Sequence, residues 1–97
     1  MKKADMNKSN RTPIEMFYTL SCPNCRVFQR MLEEVLPAYN DKFIFRKTLA
    51  SSPVGYLKTL KLGIHSVPTV LIENKIVYRS VPTKEELIKQ LNQYLNN

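Results

Sequence analysis

The sequence predicts an α/β fold, a mixed four-stranded sheet in the order β-α-β-α-β-β-α with helices on both faces. Two observations carry the prediction. Short β-prone runs alternate with longer segments of helical apolar period, and the last two runs are separated only by a tight turn. An initial β-α-β unit with a right-handed crossover gives parallel strands, and a terminal hairpin adds antiparallel ones.

Each element follows from its residues. Ile14, Met16, Phe17 and Tyr18 make a β-prone first strand over residues 14–19. After Leu20-Ser21-Cys22-Pro23-Asn24-Cys25, the apolar residues Val27, Phe28, Met31, Leu32, Val35 and Leu36 recur as one helical stripe, with Arg26, Gln29, Arg30, Glu33 and Glu34 opposite. Pro37 ends or kinks that helix near Leu36. Residues 43–49, Phe-Ile-Phe-Arg-Lys-Thr-Leu, read as a second strand whose Arg46 and Lys47 are atypically polar. Ser51-Ser52-Pro53 opens a second helix: serine can accept free amide hydrogens and proline suits the first helical position. Val54, Leu57 and Leu60 are expected to face inward there, and Gly63 to end the helix in a left-handed conformation. Residues 67–72 form a β-branched apolar strand, Asn74-Lys75 the turn, and Ile76-Val77-Tyr78 the returning strand. Thr83 and Glu86 match a capping box ahead of Leu87, Ile88, Leu91, Tyr94 and Leu95, the stripe of a last helix.

At 97 residues, with 43% hydrophobic and 24% charged side chains, the chain is sized for one globular core, which excludes a multidomain enzyme and wholesale disorder. Residues 1–12 read as a basic, flexible tail and residues 13–97 as a single domain. The tail shows no apolar segment of the kind that directs export, and no run reaches the 18 to 20 or so apolar residues of a membrane span. A cytoplasmic location without membrane attachment is therefore expected. Fifteen Lys and Arg against eight Asp and Glu give a formal charge of +7, which favours acidic partners. No stripe of basic and exposed aromatic residues suggests nucleic acid, and none is expected as a partner.

The only cysteines, Cys22 and Cys25, stand three apart. With Cys22 at the helix N-cap and Pro23 at the first helical position, Cys25 lies one turn on, within reach of a disulfide. The partial positive charge and free amides of a helix start stabilise a thiolate and lower its pKa, marking Cys22 as nucleophile. Cys25 sits deeper, beside the apolar stripe, and suits the resolving role. Two plainer readings remain open. A zinc site also begins with Cys-x-x-Cys, but His65 is the only further nitrogen or sulfur ligand of that kind, so a second protomer, small-molecule thiols or carboxylates would have to complete it. A purely structural disulfide would close a very small loop and stabilise little.

Phe17-Tyr18-Thr19-Leu20-Ser21-Cys22-Pro23-Asn24-Cys25 at a strand-to-helix junction, followed by Gly63-Ile64-His65-Ser66-Val67-Pro68-Thr69 before a hairpin, resembles the thioredoxin superfamily, over about residues 13–97. The resemblance implies a thioredoxin-like fold and a cis peptide before Pro68. It also implies a substrate site in which Pro23, Asn24, Val67, Pro68 and Thr69 flank the redox-active pair Cys22 and Cys25. His65 is expected as a solvent-facing rim residue and not a general base. The activity implied is thiol-disulfide oxidoreduction without a cofactor. A monomer would act on disulfide-containing proteins, and a reductase or thiol pool would supply electrons.

The departures from the family pattern matter too. The Pro-Asn dipeptide is glutaredoxin-like, Met16 stands where thioredoxins carry a buried aspartate, and adjacent Glu15 should point to the other face. Proton removal from Cys25 would then rely on water or another group. Tyr78-Arg79-Ser80-Val81-Pro82 replaces the glutaredoxin residues that hold glutathione. A glutathione-dependent redoxin and a non-catalytic thioredoxin-like binding module are the alternatives.

Overall fold

The computed structural model describes residues 11–39 and 42–95. Residues 1–10 of the expected tail lie outside them; Arg11 is exposed, and the first strand already begins at Thr12. The elements are β1 (Thr12–Tyr18), α1 (Pro23–Val35), a 3-10 turn (Leu36–Tyr39), β2 (Phe43–Leu49), α2 (Pro53–Leu62), β3 (Thr69–Ile72), β4 (Lys75–Tyr78) and α3 (Lys84–Leu95). Their order is the predicted one. In space the strands run β2-β1-β3-β4, with β1 and β2 parallel and both other pairings antiparallel.

Strand alternation divides the core in two. Ile14 and Met16 of β1, with Val70 and Ile72 of β3, face Phe28, Leu32 and Val35 of α1 and Leu87 and Leu91 of α3. Phe17, Leu71 and Ile64 form a smaller cluster on the opposite face, with Val67 and Ile76 packed against it. Phe17, Phe28, Met16 and Leu32 are all fully buried, each burial removing about 1.5–3 kcal/mol worth of apolar surface from water.

The helix starts are built as their residues dictate. Ser52 caps α2: its Oγ accepts the Gly55 amide at 3.0 Å and donates to the Leu49 carbonyl at 2.8 Å. Gly63 closes α2 at φ 72°, donating its amide to Thr59. At α3, Thr83 Oγ1 accepts the Glu86 amide while Glu86 Oε1 accepts the Thr83 amide, the reciprocal capping box.

Three expectations need correction. Val54, Leu57 and Leu60 do not face inward; they are 69%, 61% and 62% exposed. The inward face of α2 is instead Gly55 and Thr59, one turn apart. A Cβ at Gly55 would fall on the Leu49 carbonyl oxygen, so the missing side chain is what lets this helix lie against the end of β2. The hairpin turn is Glu73-Asn74 and not Asn74-Lys75: Ile72 pairs with Lys75, and the two residues between them have φ 54° and 66°, the left-handed pair of a type I′ turn. Glu73 meanwhile donates its amide to Pro13, continuing the β1–β3 ladder. Finally, β3 begins at Thr69, two residues later than the apolar run suggests. Val70 pairs with Tyr78 and Leu71 with Ile76, which leaves Val77 as the extra residue of a bulge in β4.

Candidate active site

Parallel pairing brings the C-terminal ends of β1 and β2 to one edge of the sheet, and antiparallel pairing puts the start of β3 at the same edge. Three connections therefore gather there: residues 19–22, residues 50–52 and residues 63–68. Ala50 donates its amide to Tyr18, tying the first two together. Thr19, Ala50, Tyr56, His65, Ser66 and Val67 line a shallow cleft of about 250 Å³ between the connections.

Cys22 is the N-cap of α1, with extended backbone (φ −103°, ψ 104°), and Pro23 occupies the first turn. The Cys25 amide donates to Cys22 Sγ at 3.0 Å, so the sulfur itself satisfies one of the orphan donors at the helix start. The two cysteines are joined in a disulfide with Cα atoms 5.3 Å apart. Their environments differ as expected from the sequence. Cys22 is partly exposed, whereas Cys25 is 2% exposed and lies under the first turn; Pro23 and Asn24 between them face solvent. A protein or peptide sulfur arriving from solvent reaches Cys22 first.

Across the edge, the Val67–Pro68 peptide is cis. Val67 is partly exposed, Pro68 is buried, and Thr69 is fully buried with its hydroxyl donated to the Ser66 carbonyl at 2.7 Å. Thr69 thus braces the connection from beneath. His65 is exposed on the rim.

The β1 side chains ahead of the cysteine junction point as strand alternation requires. Met16 is fully buried on the α1 side of the sheet, and Glu15 points to the α2 side. Its carboxylate accepts Lys58 Nζ at 2.8 Å and the Thr48 hydroxyl. Burial pushes the Glu15 carboxyl up, but the hydrogen bonds from Lys58 and Thr48, with the charges of Lys58 and Arg46, outweigh it and hold the group below its ordinary value. No carboxylate of β1 therefore lies on the cysteine side of the strand. Among the described residues, no three His, Cys, Asp or Glu side chains cluster as a metal site would need, and no helix is long and apolar enough to cross a membrane.

Arg26 is the residue that sequence reasoning passed over. Placed only as part of a polar face, it sits one turn past Cys22 and donates Nη2 to the Leu20 carbonyl at 3.1 Å, pinning the loop that leads into the cysteines. The four-residue spacing from Cys22 was the available signal. Leu20, 73% exposed, projects from that loop.

The thioredoxin-domain family model matches residues 12–92, which takes in every strand and the whole cysteine junction. The chain belongs to the thioredoxin family. It is 29% identical over 87 residues to a thioredoxin of Methanocaldococcus jannaschii, covering 89% of this chain and 99% of that one. It is also 27% identical over 79 residues to a probable thioredoxin of Methanothermobacter thermautotrophicus, covering 81% and 91%. The mixed four-stranded sheet flanked by helices is a thioredoxin-like fold. With a Cys-x-x-Cys pair at the start of α1, this thioredoxin-family protein is a thiol-disulfide oxidoreductase. Family membership implies, in general terms, disulfide-bearing proteins as substrates and a reductase as partner.

Proposed function

We propose that this thioredoxin-family protein reduces protein disulfides by dithiol exchange, with Cys22 as nucleophile and Cys25 as resolving thiol. The supporting observation is the asymmetry of the pair: Cys22 caps the helix through Sγ and is partly exposed, while Cys25 is buried beneath it. In the reduced protein, the amide that donates to Cys22 Sγ and the positive end of α1 favour the thiolate. That thiolate attacks one sulfur of a substrate disulfide, forming a mixed disulfide and expelling the other sulfur as a thiolate. Cys25 gives up its proton to water or to the departing thiolate and attacks Cys22 Sγ. The second substrate thiol leaves, and the Cys22–Cys25 disulfide remains. Two electrons pass from the pair to the substrate, and a reductase or a thiol pool returns them.

Around these sulfurs, Pro23 and Asn24 present the exposed turn that a substrate meets, and Val67 and Pro68 form the facing wall, braced by Thr69. The setting proposed is the cytoplasm, with the protein acting as a monomer and without a bound cofactor. Cys25→Ser tests the assignment. Incubated with a disulfide-bearing protein, this variant should accumulate a covalent adduct on Cys22, read as a mass increase that dithiothreitol reverses. Full reducing activity in Cys22→Ser, or no adduct with Cys25→Ser across several substrates, would remove the mechanism.

A further inference from the structure

The helix that begins at the nucleophilic sulfur carries a column of cations away from it. Arg26 and Arg30 follow Cys22 at intervals of four, which places all three on one face of α1, with Arg30 about 12 Å along the axis. Both arginines are exposed. A cleft of about 320 Å³ runs beside this column, lined by Arg26, Val27, Arg30, Met31 and Glu34 of α1 and by Lys84 from the start of α3. Its floor is apolar: Val27 is 52% exposed and Met31 only partly covered.

Charge in the cleft is unbalanced. Three cations face one carboxylate, Glu34, which stands 3.8 Å from Lys84. On the other side of the column, the Glu33 carboxylate accepts the Gln29 amide at 3.0 Å. Among the described residues neither Arg26 nor Arg30 is paired with a carboxylate, and the Arg26 guanidinium is already oriented by the Leu20 carbonyl at the mouth of the site. Cations converging from two helices around an apolar strip match a chain segment in which carboxylates flank an aliphatic side chain. Each guanidinium can take a carboxylate in a two-pronged bond, and the aliphatic group covers Val27 and Met31.

We propose that this α1–α3 cleft docks an acidic segment of the partner protein, carried beside the disulfide that Cys22 attacks. The proposal rests on the disulfide-exchange reading above and adds to it a selection by charge. The overall charge of +7 acts in the same direction by steering such partners toward the protein.

Two disulfide-bridged peptides test it, identical except that Glu-Leu-Glu in one is Gln-Leu-Gln in the other, next to the bridged cysteine. The ratio of their kcat/KM values cancels any change in the exchange chemistry itself. At low salt the acidic peptide should be favoured roughly tenfold, the combined effect expected of its two carboxylates in partly exposed charge pairs. That preference should collapse toward one in Arg30→Gln/Lys84→Gln and at high salt. A ratio near one for the unaltered protein overturns the proposal even if both peptides are reduced well. Fluorescence anisotropy of the same peptides on the oxidised protein separates the two readings. Binding of the acidic peptide that depends on Arg30 and Lys84, without reduction of either peptide, upholds the cleft and removes the exchange mechanism. Equal or tighter binding of a DNA duplex or of phosphatidylglycerol vesicles, with the same dependence on Arg30, overturns the assignment to an acidic protein segment.

Discussion

The chain has two glycines, and substituting each by alanine should fail for a different reason. At Gly55 the backbone conformation is ordinary for a helix, but the new Cβ would lie 2.9 Å from both the Leu49 carbonyl carbon and Ser52 Oγ, and closer still to the Leu49 oxygen. Carbon contacts settle near 3.5–4.0 Å, so α2 would have to retreat by more than half an ångström from the end of β2. That retreat pulls on Ser52, whose hydroxyl links the Leu49 carbonyl to the Gly55 amide; a weakened cap costs about 1 kcal/mol. Replacing a glycine in the first helical turn by alanine returns at most about the same amount in helix propensity. What is left is the overpacking itself, about 1–3 kcal/mol. In a domain of this size that lowers Tm by at least about 4–8 °C. At Gly63 nothing lies within 4 Å of the added Cβ, and the cost is only that of holding alanine at φ 72°, about 1 kcal/mol. Thermal and denaturant unfolding of the two variants under identical redox conditions should rank Gly55→Ala below Gly63→Ala. A Gly55→Ala protein as stable as the parent would show that α2 does not lie where the Leu49 carbonyl excludes a side chain.

Leu57→Ala and Leu60→Ala should each change stability by no more than about 0.5 kcal/mol, whereas Leu32→Ala in the sheet-facing core should cost about 2–5 kcal/mol; similar losses at all three would restore the inward orientation of Leu57 and Leu60. Glu15, whose carboxyl is held below its ordinary value of 4.5, contributes stability that is fully present above that value and is lost as pH falls through the lower, folded-state value. Denaturant midpoints between pH 6 and pH 3 should therefore fall more steeply for the parent than for Glu15→Gln, and parallel curves would count against the Lys58 and Thr48 contacts. Cys22→Ser and Cys22→Ala should both lose exchange activity, but under reducing conditions the alanine variant should be about 1 kcal/mol less stable, because serine still accepts the Cys25 amide. Equal stability would deny Cys22 its capping role.

Much of this was legible in the chain because the signals were local. The N-cap position of Cys22, the Ser52-Pro53 start, the Gly63 stop and the Thr83–Glu86 box are each decided by a few neighbouring residues, and the structure has all four. The orientation of α2 was not legible, because the apolar period of Val54, Leu57 and Leu60 marks the outward face and not the inward one. In this helix the inward face is chosen by the need for small residues against β2, and Gly55 and Thr59 were the signal, one turn apart. The turn at Glu73-Asn74 shifted by one residue for a related reason: a glutamate seldom adopts positive φ, and only the pairing of Ile72 with Lys75 forces it to. At the site, the pair of cysteines was readable from spacing and helix electrostatics. Arg26 was not, since its bond to Leu20 depends on how the loop folds back over the first turn.

The two outer strands of the sheet also bear on how copies of this protein tolerate crowding. An open border of a sheet is a template for another chain, and long flat borders seed fibrous aggregates. Here β2 places exposed Arg46 and Lys47 along one border, where a second copy would bring the same charges against them. The other border, β4, is four residues long and is broken at Val77 by its extra residue. Repelling charges guard the first border and shortness with a bulge guards the second, so strand-to-strand zippering between molecules is disfavoured at both ends even while the outward leucines of α2 stay uncovered.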